Sequence, residues 1–224
     1  MTEVLKLDGD PSDPSTVYAA TAYGIFKTTD AGETWQEKPL GLVLPFTSDV
    51  LVDRPDPSRV FAASEEGIFL SRDGGKTWSP AGLEGKGVRV IVQDPTRPEF
   101  FWAGTEEDGV FLSSDRGTTW TQKNSGLKHL TVYAIAVHPS QSSIVYAGTH
   151  GGGVYKTSDG GRSWMSLSKG LAVLDVHSLL VMRTRPDVVF AGTLNGGLYR
   201  STNGGSTWEF NSQDEGQVWG LSSR

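Results

Sequence analysis

An eight-residue pattern recurs five times in this chain, and it restricts the fold more than any other feature. The copies are Thr28–Trp35, Ser71–Trp78, Ser113–Trp120, Thr157–Trp164 and Ser201–Trp208, with their tryptophans 42 to 44 residues apart. Each runs hydroxyl residue, any residue, Asp (Asn203 in the last copy), any residue, Gly, any residue, Thr or Ser, Trp. A period in the low forties with strand-like flanks is the spacing of blades in a β-propeller.

The fourth unit shows what one repeat is made of. Residues 132–137 form an apolar run stopped by His138-Pro139, which reads as a buried strand. Residues 144–149 and 154–157 follow as second and third strands around Gly151-Gly152-Gly153, and 163–167 as a fourth beyond the box. The other second strands, such as Val17-Tyr18-Ala19-Ala20-Thr21 and Val60-Phe61-Ala62-Ala63-Ser64, also place an aromatic before small residues. No helix-period segment of useful length interrupts the series, so the chain is all-β. Four antiparallel strands cannot bury both faces alone, and each unit must stack on its neighbours.

The box has a mechanical reading. Its Asp carboxylate can accept N–H groups of its own turn. Its Gly supplies a backbone conformation that a side chain would disfavour, and its Trp fills the gap between blades. A calcium loop needs several oxygen ligands at alternate positions, whereas each box offers at most one carboxylate. On these residues the chain resembles the Asp-box (BNR) repeat of sialidases, xyloglucan-degrading glycoside hydrolases, sortilin-type receptors and the photosystem II assembly factor. The resemblance implies a β-propeller over the whole chain and no particular activity.

One domain of repeats 1–43, 44–86, 87–128, 129–172 and 173–214 is expected, as about five four-stranded blades. Residues 215–224 are then an extra closing strand. Both Val4–Asp8 and Gln217–Leu221 match the innermost strand of a blade, one more than five blades require. The ring is therefore expected to close by pairing of N- and C-terminal strands, which hides the sheet edges. An open fragment of a larger propeller and a strand shared between chains are the alternatives.

Innermost strands line a propeller's channel, and aligning them singles out one position per blade: Ser48, Arg89, Tyr133, His177 and, in the C-terminal segment, Trp219. Leu5 is the N-terminal candidate for that place. The preceding residues stay repetitive (Thr47, Val88, Val132, Val176, Val218), while the position itself diverges into hydrogen-bonding and stacking groups, as a binding constellation would. Glu65, Glu66, Glu106, Glu107 and Asp108 crowd two loops on the same face, suited to a cation or to a basic partner if they are more than a solvated face.

These residues favour a non-catalytic binding or assembly platform for a protein, peptide or glycan. A glycoside hydrolase would need two suitably placed carboxyl groups. Only Asp49 and Asp175 lie near the channel mouth, and no catalytic residue is assigned. A self-assembling repeat protein, a homo-oligomer through a terminal strand, is the further alternative. The formal charge of −6 argues against nucleic acid as a partner, and no apolar stretch is long enough to insert in a membrane. Gly74-Gly75-Lys76-Thr77 imitates the end of a phosphate-binding loop, but Leu70 stands where its first Gly belongs and a strand follows. With no Cys, thiolate metal sites are excluded, and no metal or cofactor is expected. Residues 1–8 lack the character of a signal peptide. The expectation is a cytoplasmic protein as written, or an exported one if a leader was removed.

Overall fold

A computed structural model describes residues 3–41, 46–212 and 216–221. Among these the chain is all-β, and its twenty strands form five antiparallel four-stranded sheets, the blades of a β-propeller. The first blade is β1 (Val4–Gly9), β2 (Val17–Thr21), β3 (Gly24–Thr28) and β4 (Gln36–Lys38). The second is β5 (Thr47–Val52), β6 (Val60–Ser64), β7 (Gly67–Ser71) and β8 (Ser79–Pro80). The third is β9 (Val88–Gln93), β10 (Phe101–Thr105), β11 (Val110–Ser113) and β12 (Thr121–Gln122). The fourth is β13 (Val132–Val137), β14 (Val145–Thr149), β15 (Gly153–Thr157) and β16 (Met165–Ser166). The fifth is β17 (Val176–Val181), β18 (Val189–Thr193), β19 (Leu198–Ser201) and β20 (Glu209–Phe210).

The chain divides into two compact units. One comprises Met1–Gln93, Pro98–Phe101 and Ser113–Trp120; the other comprises Asp94–Arg97, Trp102–Leu112 and Thr121–Arg224. The first thus holds blades one and two with β9, and the second holds most of β10–β12 with blades four and five.

The fourth strand of each blade is shorter than its sequence suggests, and the box explains why. Ser163, expected in a strand, is held by Asp159, whose carboxylate accepts its N–H at 2.9 Å and its hydroxyl at 2.6 Å. Pairing with β15 starts only at Met165. The same hydrogen-bond ladder closes every box. In the second, Ser71 Oγ donates to Asp73 Oδ1 at 2.8 Å, Gly75 N–H donates to Ser71 Oγ at 2.8 Å, and Asp73 accepts from Thr77 N–H and Oγ1. In the fifth, Asn203 Oδ1 accepts the Thr207 N–H at 3.0 Å, and its amide donates to Thr207 Oγ1 at 2.8 Å. The amide reproduces the ladder by reversing one donor. The residue after the box acid lies in the left-handed region in every copy: Ala31 at φ 58°, Gly74 at 68°, Arg116 at 60°, Gly160 at 72° and Gly204 at 65°.

Blades are joined by two repeated contacts. The second-strand aromatic of one blade packs beneath the box glycine of the next: Tyr18 on Gly75, Phe61 on Gly117, Trp102 on Gly161 and Tyr146 on Gly205. A Cβ on those glycines would lie 2.6–3.2 Å from the ring atoms, so only glycine admits the contact. In the third, fourth and fifth boxes the indole then donates to the outer strand or following loop of the preceding blade, whereas Trp78 Nε1 of the second box is buried without a partner among the described residues. Trp120 bonds the carbonyl of Ala81 at 2.9 Å, Trp164 that of Lys123 at 2.8 Å, and Trp208 that of Leu167 at 2.7 Å.

The second blade is tied further by a buried charge cluster. Asp53, fully buried, accepts from Gln93 at 2.7 Å, pairs with Arg59 at 3.1 Å, and pairs with Arg116, which reaches over from the third box.

At the two ends, β1 pairs with β2 from Val4↔Thr21 to Gly9↔Val17, and the first blade is built from contiguous strands. Residues 217–221, expected as a strand, have no strand assignment. Val218 N–H donates to the Thr193 carbonyl at 3.2 Å and Gly197 N–H to the Gly216 carbonyl at 2.8 Å, so this segment lies against the fifth blade. Pairing of the two ends with one another is not among the described hydrogen bonds. The expected closing stretch otherwise lies outside the described residues at 215 and 222–224.

Candidate binding site

The innermost strands are not regular, and the irregularity falls on the positions singled out by alignment. Register shifts by one residue between Val4 and Lys6, Thr47 and Asp49, Val132 and Ala134, and Val176 and Ser178. The skipped residues are Leu5, Ser48, Tyr133 and His177. Each is a β-bulge residue, and a bulge leaves its residue unpaired and re-aims its side chain. Arg89 stands at the same position of β9, half-buried after the buried Val88. Sequence alignment finds the position but not the bulge, because a device present in every repeat leaves no insertion to see.

In the second unit three of these residues meet. The rings of Tyr133 and His177 stack with centroids 4.3 Å apart and 24° between planes. Trp219 meets His177 edge to face at 4.8 Å and 90°. Alternation of π-faces and edges is the geometry that aromatic quadrupoles favour. Trp219 is 63% exposed, and its indole donates to Gln217 Oε1 at 3.0 Å, while Gln217 donates to Asn195.

Two residues not assigned to the site by alignment complete the group. His150, on the loop after β14, meets Tyr133 edge to face at 6.1 Å. Its Nδ1 lies 2.6 Å from Asp175 Oδ1, which also accepts the Gly151 N–H at 2.8 Å. The signal for this pair was an exposed histidine in a loop next to the candidate strands. His177 Nε2 is enclosed and unbonded. Burial holds the His177 pKa below its ordinary 6.5; Asp175 opposes the shift and His150 adds to it. His177 is therefore neutral at pH 7, an aromatic surface with one unused ring nitrogen.

In the first unit the residues are engaged differently. Ser48 Oγ donates to the Val88 carbonyl at 2.6 Å and approaches that of Ala63 at 3.3 Å, joining β5 to β9. The Arg89 guanidinium lies over Phe46, 5.6 Å from the ring centroid. Asp49 is 3% exposed and accepts the Val50 N–H at 2.8 Å and the Ile91 N–H at 3.0 Å. Desolvation raises its pKa to about 6. Its two oxygens hold adjacent strands, whereas Asp175 meets both His150 and the Gly151 N–H through Oδ1 alone. Glu65, Glu66 and Glu84 rim a cavity of about 360 Å³ floored by Ile68, Phe69 and Pro80. Among the described residues no group of three or more His, Asp or Glu is placed to hold a metal ion.

A propeller whose blades end in these turns and whose inner bulges carry divergent side chains is an Asp-box propeller, and the BNR/Asp-box repeat model matches residues 69–80. The chain belongs to the Sortilin-Vps10 family, described as sortilin, neurotensin receptor 3, whose model matches residues 108–220, half of the chain. Among solved structures, an ancestral GH74 enzyme superposes with a TM-score of 0.77 at 22% identity, over 92% of this chain and 31% of the enzyme. The GH74 xyloglucanase from Xanthomonas campestris gives 0.62 at 16% identity, over 93% and 45%. YCF48 bound to D1 peptide gives 0.65 at 19% identity, over 90% and 66%. At such identities the likeness is one of fold. The chain spans 31% to 45% of the length of the GH74 enzymes it matches. No curated protein matches it in sequence.

Proposed function

We propose that this chain is a non-catalytic binding propeller that takes an extended peptide segment of a protein partner on the bulge residues of its innermost strands. The observation that carries the reading is the aromatic group of Tyr133, His177 and Trp219. It exposes ring surface, with Trp219 63% exposed, beside a histidine whose Nδ1 lies 2.6 Å from Asp175, and there a peptide's side chains could stack. Ser48 and Arg89 hold the same strand positions in the other unit and are proposed as binding residues of that unit in its own right. Further support comes from YCF48, a propeller of this fold with a peptide bound, and from membership in a family described by a receptor. The two carboxylates that a hydrolytic reading would recruit, Asp49 and Asp175, are already committed to backbone and histidine contacts.

The test is selection of peptides from a random displayed library on the full chain, followed by affinity measurement. Tyr133→Ala, His177→Ala and Trp219→Ala should each weaken a selected peptide about tenfold or more, as loss of a central aromatic contact does, while Tyr23→Ala should not. Peptides held equally by all variants, or none enriched while a glycan array gives a ligand, would refute the reading.

A further inference from the structure

A cleft of about 200 Å³ opens beside the second box, lined by Lys27, Lys38, Lys76, Gln36 and two threonines, Thr29 and Thr34. Its walls come from β3, β4 and the first two boxes, all within the first unit, and it shares no residue with the bulge positions. Three lysines thus meet in a chain whose net charge is −6. A Cβ on Gly74 would lie 3.4 Å from Lys27 Nζ, and one on Gly75 3.7 Å from Lys38 Cγ, so these two side chains lie along the glycine pair that precedes Lys76.

Lys27 has a packing reason for its place. Its Nζ donates to the Gly74 carbonyl at 3.0 Å and lies 4.9 Å from the centroid of the Tyr18 ring, whose hydroxyl donates to the same carbonyl. The fourth blade repeats this device with Lys156, Tyr146 and Gly204. There, however, Leu167 and Ser206 stand where the first junction has Lys38 and Lys76. Leu70, Ala81 and Thr118 hold the three positions between blades two and three, and Leu112 replaces Lys27 between three and four. The repeat frame accounts for one of the three lysines and leaves Lys38 and Lys76 unexplained.

Among the described residues none of the three is ion-paired. The carboxylates of the flanking boxes serve their own turns: Asp30 accepts from Thr34 N–H and Oγ1, and Asp73 from Thr77 N–H and Oγ1. Asp13 feels the Lys27 charge but is bonded to Ser15 and Thr16. Lys38 donates to Gln36 Oε1 at 3.2 Å, which leaves the Gln36 amide N–H groups as further donors. Each ammonium carries three donors and no acceptor, and the Gly74 carbonyl already takes two of them from Lys27 and Tyr18. The cleft is rich in donors and positive charge with no anion to match.

We propose that this cleft binds one phosphate monoester dianion, with Lys27, Lys38 and Lys76 supplying charge and Gln36 and Thr29 supplying neutral donors. Such a group carries about −1.5 to −2 charge near pH 7 and three strong acceptor oxygens, and lysines bind it as point charges. The cleft is smaller than the roughly 300–1,000 Å³ of sites for drug-sized ligands, so it takes a head group and not a nucleotide. Gly74-Gly75-Lys76-Thr77 resembles a phosphate-binding loop in sequence but would act differently. Its backbone N–H groups are spent on Ser58, Ser71 and Asp73, and side chains hold the anion.

The test is calorimetric titration of the full chain, above pH 7 and at low salt, with inorganic phosphate and with phosphoserine in a short neutral peptide. Tighter binding of the peptide means that the group arrives on a partner segment, and equal binding that it arrives as the free ion; either supports the site. Lys38→Gln and Lys76→Gln should each weaken binding about tenfold, as loss of a charge-assisted hydrogen bond does, and together abolish it. Lys156→Gln, at the equivalent place in the fourth blade, should leave it unaltered. Failure of both ligands to bind at millimolar concentration overturns the proposal. So does binding that the double variant retains, or that Lys156→Gln weakens as much. If the double variant does not fold, the unaltered chain is acetylated on its amines with and without phosphate and read by mass spectrometry. Phosphate should protect Lys38 and Lys76, and equal acetylation overturns the proposal.

Discussion

The imidazole of His177 stacks on the ring of Tyr133, 4.3 Å away with 24° between planes, and its burial makes the histidine hard to protonate. Its pKa in the folded chain is below 6.5, so the unfolded chain binds the proton first as pH falls. The contribution to stability is complete above pH 6.5 and is lost below it, as the folded form also titrates. Burial lowers the pKa of His138 in the same direction. Between pH 7 and 5 the two histidines lower the denaturant midpoint, while Asp49, with its pKa raised to about 6, works in the opposite direction. Relative to the parent, the midpoint of His177→Phe should hold up better as pH falls, and that of His177→Phe with His138→Asn better still.

Asp53 binds two arginines and a glutamine from a buried position, with Arg116 supplied by the third blade's box. Asp53→Ala leaves Arg59 and Arg116 without their carboxylate; because their side chains keep 16% and 41% exposure, the cost should be about 1–3 kcal/mol. Urea unfolding should show that loss, whereas Asp56→Ala on the exposed turn nearby should fall within about 0.5 kcal/mol of the parent.

The box carboxylates are held well below the ordinary range by hydroxyl and backbone donors, with Asp159 at about 2. Each contributes stability above pH 4 that disappears as pH falls toward 2. Because Asn203 sustains the same ladder, Asp159→Asn should preserve the melting temperature at pH 7 better than Asp159→Ala does. It should also reduce the loss on acidification. Melting curves at pH 7, 4 and 2.5 decide both points.

Ala31 holds a left-handed backbone at φ 58° where three other boxes have glycine. Ala31→Gly removes a conformational cost of about 1–2 kcal/mol and adds about 0.5–1 kcal/mol of chain entropy to the unfolded state. The net should be a gain of up to about 1.5 kcal/mol in denaturant unfolding. The same change at Arg116 should lower stability, because that side chain also holds Asp53.

The propeller was legible because every blade repeats the same solution. One box, one aromatic before small residues and one apolar run mark strands to within a residue or two, except where the box turn holds Ser163 out of β16. The divergent inner-strand positions were legible, and among them Tyr133, His177 and Trp219 come together. What was not legible involved departures confined to one blade. Arg116 in place of a glycine gives no hint that it reaches Asp53, 63 residues away, and His150 gains meaning only once Asp175 is folded against it. The disposition of residues 217–221 also escaped the sequence, since an inner-strand pattern reads the same whether the segment pairs as a strand or lies against a neighbour.

The inner-strand bulge has a consequence for how such a chain can change. Bulge residues such as Tyr133 and His177 stand outside the register that aligns β13 with β14 and β17 with β18. Replacing them alters what the blade displays without asking the sheet to re-pair. A library randomised at positions 133 and 177, with Leu5 as a third site, would vary the presented chemistry while the ladders beneath stay constant. Ser48 would be left out, because its hydroxyl also ties two blades together. What the blade displays and what holds its sheet together are in this way written on separate residues of one strand.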